Sequence, residues 1–480
     1  MERKKVISGL IWKLAERIGA QGVNLIVSII LARILTPEEY GIVALVTIFI
    51  TISNVFLEIG FGTALIQKKD ADDLDFSSVF YCNIGISLVL YLVIFLLAPF
   101  IASIYKIPQL TIVLRVLAIS VLVAALKSIQ NAYVSRNMLF KKFFMSTIIG
   151  TIISAIIGIW MAYQGFGVWA LVTQQLTNII IDTTVLWVTV KWRPILKFSF
   201  KRLKELLKFG WKMLCSGLID TIYNELYGLS IGKIYSAGQL AYYNKANQFP
   251  HLITVNIDGS ISSVMLPALS NEQDKKDKLK SMMRRAIKTS SYLLSPMLIG
   301  LAVVAEPLVK ILLTDKWLPV VPLMQLLCFS YVLWPIHTIN LQTISALGRS
   351  DIYLRVEIIK KVIGIIALII SCPFGITTMV IAKVVTSVIF TFINSYPNKK
   401  LIDYSFKEQA RDILPYMLLA VTMGLVVYGL KIFINNTIIL LILQVLIGAL
   451  IYFSSSIILK LDAYMYLINM IKNRKGKKDE

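Results

Sequence analysis

Residues 9–33 read GLIWKLAERIGAQGVNLIVSIILAR, a segment that is long and apolar enough to cross a bilayer. Polar side chains recur along it at the helical period and share roughly one quarter of the helix circumference. They are Lys13, Arg17, Gln21, Asn24 and Ser28. A cation well inside the hydrocarbon layer is costly when it faces lipid, so such residues normally face a bundle interior or a watery cavity. The segment therefore predicts a helix that borders a polar lumen.

A second segment, residues 209–234, repeats this pattern. Its polar stripe consists of Lys212, Ser216, Asp220, Asn224 and Tyr227. Aligning the two segments sets Trp12-Lys13 against Trp211-Lys212, and the correspondence continues by setting RILTPEEYG against KIYSAGQLA. Two repeated transmembrane halves are typical of transporters, with the substrate site between the repeats. We therefore expect a transport protein.

The composition points to an integral membrane protein. The 480 residues are 57% hydrophobic with a mean hydropathy of +0.74, far more apolar than a soluble domain needs to be. The net charge of +22 does not indicate nucleic-acid binding, because the basic residues lie between apolar spans and form no aromatic-basic platform. The cysteines have no metal or redox spacing, so we predict no metal site and no cofactor. These are Cys82, Cys215, Cys328 and Cys372.

At about 20 residues per crossing, the apolar segments predict about fourteen spans in an all-α polytopic fold. They lie near 10–32, 40–62, 77–104, 110–134, 142–163, 167–190, 209–234, 243–268, 286–313, 320–346, 353–373, 376–396, 412–433 and 438–460. With a cytoplasmic N-terminus, the even-numbered connections and the two termini hold about thirty Lys and Arg, as the positive-inside rule requires. We therefore predict that both termini are cytoplasmic. The outside turns are short, which argues against an enzyme with a folded extracytoplasmic domain.

The repeat predicts two six-helix lobes joined by a basic linker and followed by a further helix pair. The predicted ranges are 1–195 for the first lobe, 196–208 for the linker, 209–400 for the second lobe, 401–472 for the added pair and 473–480 for a basic cytoplasmic tail. Lysines line one helical face of residues 191–208 and leucines the other, which predicts a helix lying at the surface against anionic lipid. A passive anchor is favoured over a rocking hinge. Residues 271–285 predict a second surface helix.

Four motifs in order carry a family resemblance. They are LARILTPEEYG after the first span, RNMLFKK after the fourth, AYYNKANQFP leading to VMLPALS around the eighth, and DKWLPVVPLMQLL into the tenth. With these, nearly the whole chain resembles the Wzx-type flippases and polysaccharide exporters of the multidrug/oligosaccharidyl-lipid/polysaccharide superfamily, especially the colanic-acid and teichuronic-acid exporters.

This resemblance implies a multi-pass protein of the bacterial cytoplasmic (inner) membrane, with two lobes around a central cavity that opens alternately to the two membrane faces. The implied cargo is an undecaprenyl-diphosphate-linked oligosaccharide, and polysaccharide polymerase or glycosyltransferase machinery is an implied partner. In the related lipid II flippases an extra helix pair forms a groove for the lipid tail, and residues 412–460 occupy the matching position. The family has no universal site motif, so the candidate site rests on the polar stripes.

The diphosphate and hydroxyls of such a cargo cannot cross hydrocarbon unsolvated, whereas its polyprenyl tail can stay there. We expect Arg17 to be the leading phosphate ligand, because its planar fork of donors suits phosphate. Lys13 and Lys212 would support it, with Gln21 and Asn24 deeper in the cavity. The second stripe adds Asp220 and Asn224. Asp220 would either pair with Arg17 and release it when diphosphate arrives, or form a permanent ion pair, since buried charges usually pair.

Two further spans carry candidate binding residues. On the sixth, Gln174, Asn178 and Asp182 share one face, where they would bind sugar or, as the favoured reading, hydrogen-bond to neighbouring helices. On the fourth, Lys127 and Asn131 share a face and would extend the cavity, although Lys127 could instead extend to the interface.

Two other functions are open. A multidrug cation antiporter would have the same fold, but it would need a carboxylate constellation in the first lobe, where Glu16 only flanks a cationic stripe. A membrane-embedded glycosyltransferase or polymerase would need carboxylates placed for acid–base work, or a metal site, and usually a large catalytic loop. The cationic stripes favour a transporter of an anionic cargo over a cation antiporter. Neither the carboxylate arrangement nor the large loop of such an enzyme is evident in the sequence.

Overall fold

The computed structural model describes residues 2–59, 61–68 and 70–476. Within these ranges, some side chains lie outside the description, namely those at 2–11, 13, 14, 17, 18, 61, 63, 209, 263, 264 and 470–476. All regular secondary structure in the described ranges is helical.

The α-helices are α1 (Glu2–Ile34), α2 (Pro37–Glu58), α3 (Phe61–Gln67), α4 (Asp73–Tyr105), α5 (Gln109–Leu117), α6 (Ile119–Arg136), α7 (Phe140–Tyr163), α8 (Val168–Thr189), α9 (Phe200–Ile234), α10 (Ala237–Ser270), α11 (Lys276–Leu312), α12 (Val320–Val332), α13 (Trp334–Ala346), α14 (Ser350–Ser371), α15 (Ile376–Ile402), α16 (Phe406–Gly429), α17 (Thr437–Ile458) and α18 (Asp462–Gly476). Short 3-10 turns lie at Asp315–Trp317, Cys372–Phe374 and Leu430–Ile432.

The predicted all-α polytopic fold is confirmed. Each predicted span falls on a helix or a pair of consecutive helices, and ten helical segments in the described ranges are long and apolar enough to cross a membrane. The other four predicted spans fall on α1, α8, α9 and α14, which carry polar or charged residues along their length. The figure of fourteen crossings stays a prediction.

The fourth and tenth spans, which are partners in the repeat, are both broken near their middle. The fourth consists of α5 and α6, separated at Ala118, and the tenth of α12 and α13, separated at Leu333. Pro335 accounts for the second break because it lacks the helical N–H donor. At the first, Ser120 Oγ donates to the carbonyl of Leu117 at 2.5 Å, a local bond of the kind that bends helices. Matching interruptions in two halves are typical of transporters built from repeats.

The repeat is also visible at two helix starts. Thr36 caps α2, where its Oγ1 accepts the backbone N–H of Glu39 at 3.3 Å. Ser236 precedes α10, and its Oγ accepts the backbone N–H of Gln239 at 3.2 Å. These are the residues that the alignment of RILTPEEYG with KIYSAGQLA sets against each other. The same hydroxyl cap therefore starts the second helix of each half.

The linker was predicted to be a surface helix over residues 191–208, but only its second half is helical in the structure. Residues 190–199 form no helix, and α9 begins at Phe200 and runs unbroken to Ile234. Pro194 explains the irregular stretch, because a proline removes an N–H and disfavours helical geometry in the residue before it.

The apolar side of the linker is also covered by protein, not by lipid. Leu203 and Leu206 are 4% and 5% exposed and belong to a core cluster with Leu65, Phe76 and Trp192. That part of the linker prediction is therefore wrong, because the leucines complete a protein core. The second predicted surface helix, over 271–285, is likewise absent as a separate element. Residues 276–285 are the first turns of the continuous helix α11.

The chain divides into two compact units, Met1–Ala241 (unit 1) and Tyr242–Glu480 (unit 2), with the boundary inside α10. In unit 1, α1 packs on α7 and α7 on α8, while α4, α6 and α9 surround the core cluster that contains Phe76. In unit 2, α11 packs against α12, α16 and α17. The predicted lobe, linker and tail boundaries remain predictions.

Helices α7 and α8 approach closely at two glycines. A Cβ on Gly158 would lie 2.7 Å from Cβ of Gln174. A Cβ on Gly150 would lie 3.1 Å from the carbonyl oxygen of Asn178 and 3.2 Å from Cβ of Asp182. Small residues permit such close backbone approach between membrane helices. This packing sets the position of the polar face of α8.

Replacing Gly158 with alanine is expected to lower the free energy of unfolding by about 1–3 kcal/mol, because the added methyl overpacks the contact with Gln174. The matched control is Gly85→Ala in α4, where no atom from elsewhere in the described part of the chain lies within 4 Å of the new Cβ. The control should be neutral or stabilise by up to about 1 kcal/mol through helix propensity. Thermal unfolding of both variants in detergent provides the measurement. Equal stability of the two would contradict the close packing.

Candidate functional site

A polar cavity of about 260 Å³ opens among α1, α6, α7 and α8 of unit 1. Its lining residues are Glu16, Lys127, Asn131, Ser135, Phe140, Phe143, Thr147 and Asp182. Each charged residue comes from a different helix, so the cavity depends on the packing of α1 and α8 around α7. Two carboxylates, one ammonium and one amide thus face a common space.

Lys127 and Asp182 form an ion pair in this cavity. Lys127 Nζ lies 2.5 Å from Asp182 Oδ2, and the two side chains are 26% and 6% exposed. Because Asp182 is nearly buried, removing Lys127 would leave its carboxylate without a counter-ion. Lys127 therefore binds a carboxylate inside the helix bundle. This contact favours the cavity interpretation over extension of the side chain to the membrane interface.

Two buried oxygens in the cavity receive no hydrogen bond from the described part of the chain. They are Oδ1 of Asp182 and Oδ1 of Asn131. Buried acceptors are nearly always paired with protein or with an ordered molecule. The cavity therefore borders two acceptors that lack a donor among the described residues, next to the Lys127–Asp182 ion pair.

Glu16 is a cavity residue that the stripe of α1 did not predict. Thr147 Oγ1 donates to Glu16 Oε1 at 3.4 Å, joining α1 to α7. Glu16 lies beside the polar stripe rather than on it, so the helical periodicity of α1 did not predict it as a site residue. Its polar partner Thr147 lies on the facing helix α7. Periodicity within one helix does not show which residues of another helix it contacts.

The structure brings together only some of the predicted site residues. Lys127, Asn131 and Asp182 share the cavity, whereas Asn178 Nδ2 donates to Ser154 Oγ at 3.2 Å on α7. Gln174 packs against α7 at Gly158. Asn178 therefore makes the interhelical bond that was the favoured alternative for the sixth span.

The stripes of α1 and α9 give a less complete picture. The side chains of Lys13 and Arg17 lie outside the described residues, so their predicted phosphate contacts stay predictions. Farther along α1, Gln21 is half-buried and Asn24 is exposed. On α9 the predicted residues are all exposed, namely Lys212, Asp220 and Asn224. Exposure leaves these groups accessible to a ligand, and their roles are likewise predictions.

Unit 2 holds an apolar groove of about 510 Å³ formed by α11, α16 and α17, with Ile253 of α10. Small residues shape its floor, with Gly300 on α11, Gly424 on α16 and Gly448 on α17. Their lack of side chains leaves room that larger residues would fill. The volume lies within the range of pockets that enclose small molecules or parts of larger ligands.

Few polar atoms reach the groove. Gln444 Nε2 donates to the carbonyl of Val427 at 3.2 Å, and Tyr452 Oη donates to the carbonyl of Tyr292 at 2.9 Å. With their donors engaged in backbone bonds, these side chains present mainly carbon to the groove. The groove therefore suits a long hydrocarbon chain and not a hydrated headgroup.

A polar and aromatic cluster in unit 2 was not singled out from the sequence. Lys383 Nζ donates to Tyr243 Oη at 2.8 Å, and Tyr331 Oη donates to Asn247 Oδ1 at 3.0 Å. The exposed His251 ring meets Tyr331 edge-on at 6.1 Å. The cluster combines a cation, an amide and aromatic rings from α10, α12 and α15. Asn247 and His251 are spaced to share one face of α10, and this spacing could have predicted a polar cluster here from the sequence.

These features define the class of protein: a polytopic, all-helical membrane transporter with repeated halves, a charged cavity and an apolar groove. The chain belongs to the polysaccharide biosynthesis protein family, whose model matches residues 30–322. The family resemblance predicted from the four motifs is confirmed by this match and by curated relatives.

Two relatives and one solved structure illustrate the likeness. The succinoglycan biosynthesis transport protein ExoT of Rhizobium meliloti is 24% identical over 327 residues, which are 68% of this chain and 66% of ExoT. The lipopolysaccharide biosynthesis protein WzxC of Escherichia coli K12 is 22% identical over 89% of each chain. The lipid II flippase MurJ, in an inward closed conformation, superposes with a TM-score of 0.80 at 18% identity, covering 96% of this chain and 100% of MurJ. At that identity, the likeness to MurJ shows a shared fold.

Proposed function

We propose that this protein is a flippase that moves a polyprenyl-diphosphate-linked oligosaccharide from the inner to the outer leaflet of the cytoplasmic membrane by alternating access. The observation that carries the proposal is the presence in one chain of a charged, hydrogen-bonding cavity and a separate apolar groove. A lipid-linked sugar has the same two-part chemistry, because its headgroup requires polar partners and its tail requires hydrocarbon. The names of ExoT, WzxC and MurJ support the proposal.

The cavity in unit 1 supplies partners for the headgroup. The ion pair of Lys127 and Asp182 and the amide of Asn131 would supply hydrogen-bond donors and acceptors for sugar hydroxyls. The predicted cations Lys13 and Arg17 belong to α1, the helix that also supplies Glu16 to the cavity. Arginine favours phosphate through paired N–H donors, so the diphosphate is assigned to the α1 stripe and the sugar to the cavity.

The groove in unit 2 supplies the partner for the tail. Its lining is almost entirely carbon, and α16 and α17 are the helix pair expected to accompany a lipid-tail groove. A polyprenyl chain has no polar atoms to satisfy, so a groove lined almost entirely by carbon binds it without displacing the water or hydrogen bonds that a polar surface would require.

A cation antiporter is the second candidate, and one observation favours it. The cavity contains two carboxylates, Glu16 and Asp182, where the sequence had suggested that Glu16 only flanks a cationic stripe. One of the two is already neutralised by Lys127, which reduces the attraction for a further cation. The flippase proposal is therefore the better supported of the two.

Filling the groove tests the proposal. Ala449→Trp would place an indole in the groove, and we expect headgroup translocation in proteoliposomes to fall by about tenfold or more, equivalent to at least about 1.4 kcal/mol. The control is Leu446→Trp, an exposed position one turn away on α17 that does not line the groove. Transport would be measured with a fluorescent undecaprenyl-diphosphate oligosaccharide and an enzyme that acts on the outer leaflet only.

The outcomes separate the candidate functions. Loss of transport in Ala449→Trp, with the control unchanged, supports the proposed tail groove. Wild-type transport in both variants would remove the groove from the mechanism. Absence of lipid-linked sugar transport in the unmodified protein, together with proton-driven export of an organic cation, would replace the flippase proposal with the antiporter.

A further inference from the structure

The irregular segment before α9 is held against α4 by backbone hydrogen bonds. The backbone N–H of Ile195 donates to Ser77 Oγ and that of Ser199 donates to Ser78 Oγ, each at 3.0 Å. Tyr81 Oη donates to the carbonyl of Ile195 at 3.2 Å. Both serines are fully buried. The segment therefore has a set conformation, although it lacks regular secondary structure.

Held in this way, the segment presents large apolar side chains outward. Leu196 is 95% exposed, Phe200 is 69% exposed and Phe198 is 52% exposed. Exposed leucine and phenylalanine side chains in a row are unfavourable in water and mark a contact with lipid or another protein. Leu203 and Leu206, which were predicted to face the membrane, lie in the protein core. The exposed apolar side chains of the linker are instead those of the irregular segment and the start of α9.

Positive charge surrounds the apolar side chains. Lys197, Lys201 and Lys204 are all exposed, and the only acidic residue in 191–208 is Glu205. Such a combination of lysines with Phe and Leu favours the interface of a membrane that contains anionic lipid. A neutral lipid would leave the lysines without a counter-charge, whereas an anionic lipid supplies hydrocarbon for the apolar side chains and phosphate for the lysines.

Arg202 has a different role from these lysines. Its Nη1 lies 2.8 Å from Asp72 Oδ2 and 3.3 Å from Asp75 Oδ2, which ties the first turn of α9 to the start of α4. The backbone N–H of Asp75 donates to the Asp72 carboxylate and, with Arg202 nearby, holds the pKa of Asp72 below its ordinary value. Both carboxylates are therefore engaged with Arg202, and the three lysines remain as the cationic surface.

We propose that residues 195–204 form a docking site for anionic phospholipid. In this site Leu196, Phe198 and Phe200 enter the boundary between headgroups and acyl chains, and the three lysines contact lipid phosphates. The inference goes beyond the transport function and holds whichever cargo the protein moves. It places an anionic-lipid contact on the connection between the last helix of the first half and α9.

A local fluorescence experiment tests the proposal in the full chain. A bimane on Leu196→Cys, with the four native cysteines replaced by alanine, reports on lipid at this segment in nanodiscs. Brominated phosphatidylglycerol and brominated phosphatidylcholine are compared at equal mole fraction. We expect phosphatidylglycerol to quench more strongly, and its preference to fall about fivefold or more in Lys197→Gln/Lys201→Gln/Lys204→Gln, since each charge near a membrane surface contributes measurably.

Controls separate local binding from general charge. Lys399→Gln/Lys400→Gln/Lys407→Gln removes the same charge from other exposed positions and should leave the preference unchanged. Arginine at 197, 201 and 204 should preserve it, and high salt should weaken it in the unsubstituted segment. Equal quenching by the two lipids would overturn the proposal. Quenching by aqueous iodide alone, with neither lipid effective, would also overturn it because the segment would then face water.

Discussion

Replacing Lys127 with alanine is expected to lower the free energy of unfolding by about 3–5 kcal/mol, the largest single effect expected in unit 1. The reason is that Asp182, whose side chain is 6% exposed, would lose the ammonium 2.5 Å away and remain as an uncompensated buried charge. The second carboxylate oxygen of Asp182 already has no donor among the described residues, so no existing bond replaces the lost one. Thermal or denaturant unfolding in nanodiscs measures the change.

The neutral pair Lys127→Met/Asp182→Asn is the informative control. It removes both charges while keeping side-chain volume, and replacement of a buried ion pair by neutral groups is often close to neutral for stability. We expect stability near that of the unmodified protein but weakened translocation, because the cavity loses its ammonium. If Lys127→Ala were as stable as the double variant, the ion pair with Lys127 would not be needed to stabilise the buried Asp182 carboxylate.

The second large effect is expected at Asp412, where α16 meets α11. Its side chain is 3% exposed and binds Arg284 Nε at 2.6 Å, while Tyr404 Oη donates to it at 2.7 Å. Lys288 Nζ lies 3.5 Å away and also pairs with Asp462 at the start of α18. Asp412→Ala would leave the buried Tyr404 hydroxyl unsatisfied and break the link to α11, lowering the free energy of unfolding by about 2–4 kcal/mol.

A matched site with a more exposed carboxylate makes this prediction specific. Glu306 also has two basic partners, with Lys310 Nζ at 3.0 Å and Lys431 Nζ at 2.5 Å, but its side chain is 33% exposed. Exposed ion pairs contribute about 0–1 kcal/mol, so Glu306→Ala should have little effect. Unfolding midpoints of both variants would be compared at the same lipid composition. A similar loss at Glu306 and Asp412 would show that burial does not govern the strength of these pairs.

The membrane fold was accessible from the sequence because it depends on local patterns. Apolar length predicts helices, and the hydroxyl caps Thr36 and Ser236 occur where the repeat alignment set them. The linker was not accessible in the same way. Periodicity correctly assigned Leu203 and Leu206 to one side of a helix, but it could not distinguish a lipid surface from the core that contains Phe76.

The candidate site shows the same division. Lys127, Asn131 and Asp182 were identified as polar residues in apolar spans, because such groups are costly in lipid and imply a polar environment. That Lys127 pairs with Asp182, and that Glu16 joins them, follows from contacts between α6, α8 and α1, which are distant in sequence. Likewise, the Tyr243–Lys383 contact joins residues on α10 and α15.

By itself, the sequence determined that this is a polytopic helical membrane protein with a twofold internal repeat, because hydropathy and helical period are properties of neighbouring residues. The tertiary structure decided which polar groups share a cavity and which leucines are covered by protein. It also decided that α11, α16 and α17 enclose an apolar groove. The physical reason is that burial and ion pairing depend on distances between separate helices, and the pattern along a single helix does not specify which neighbour it meets.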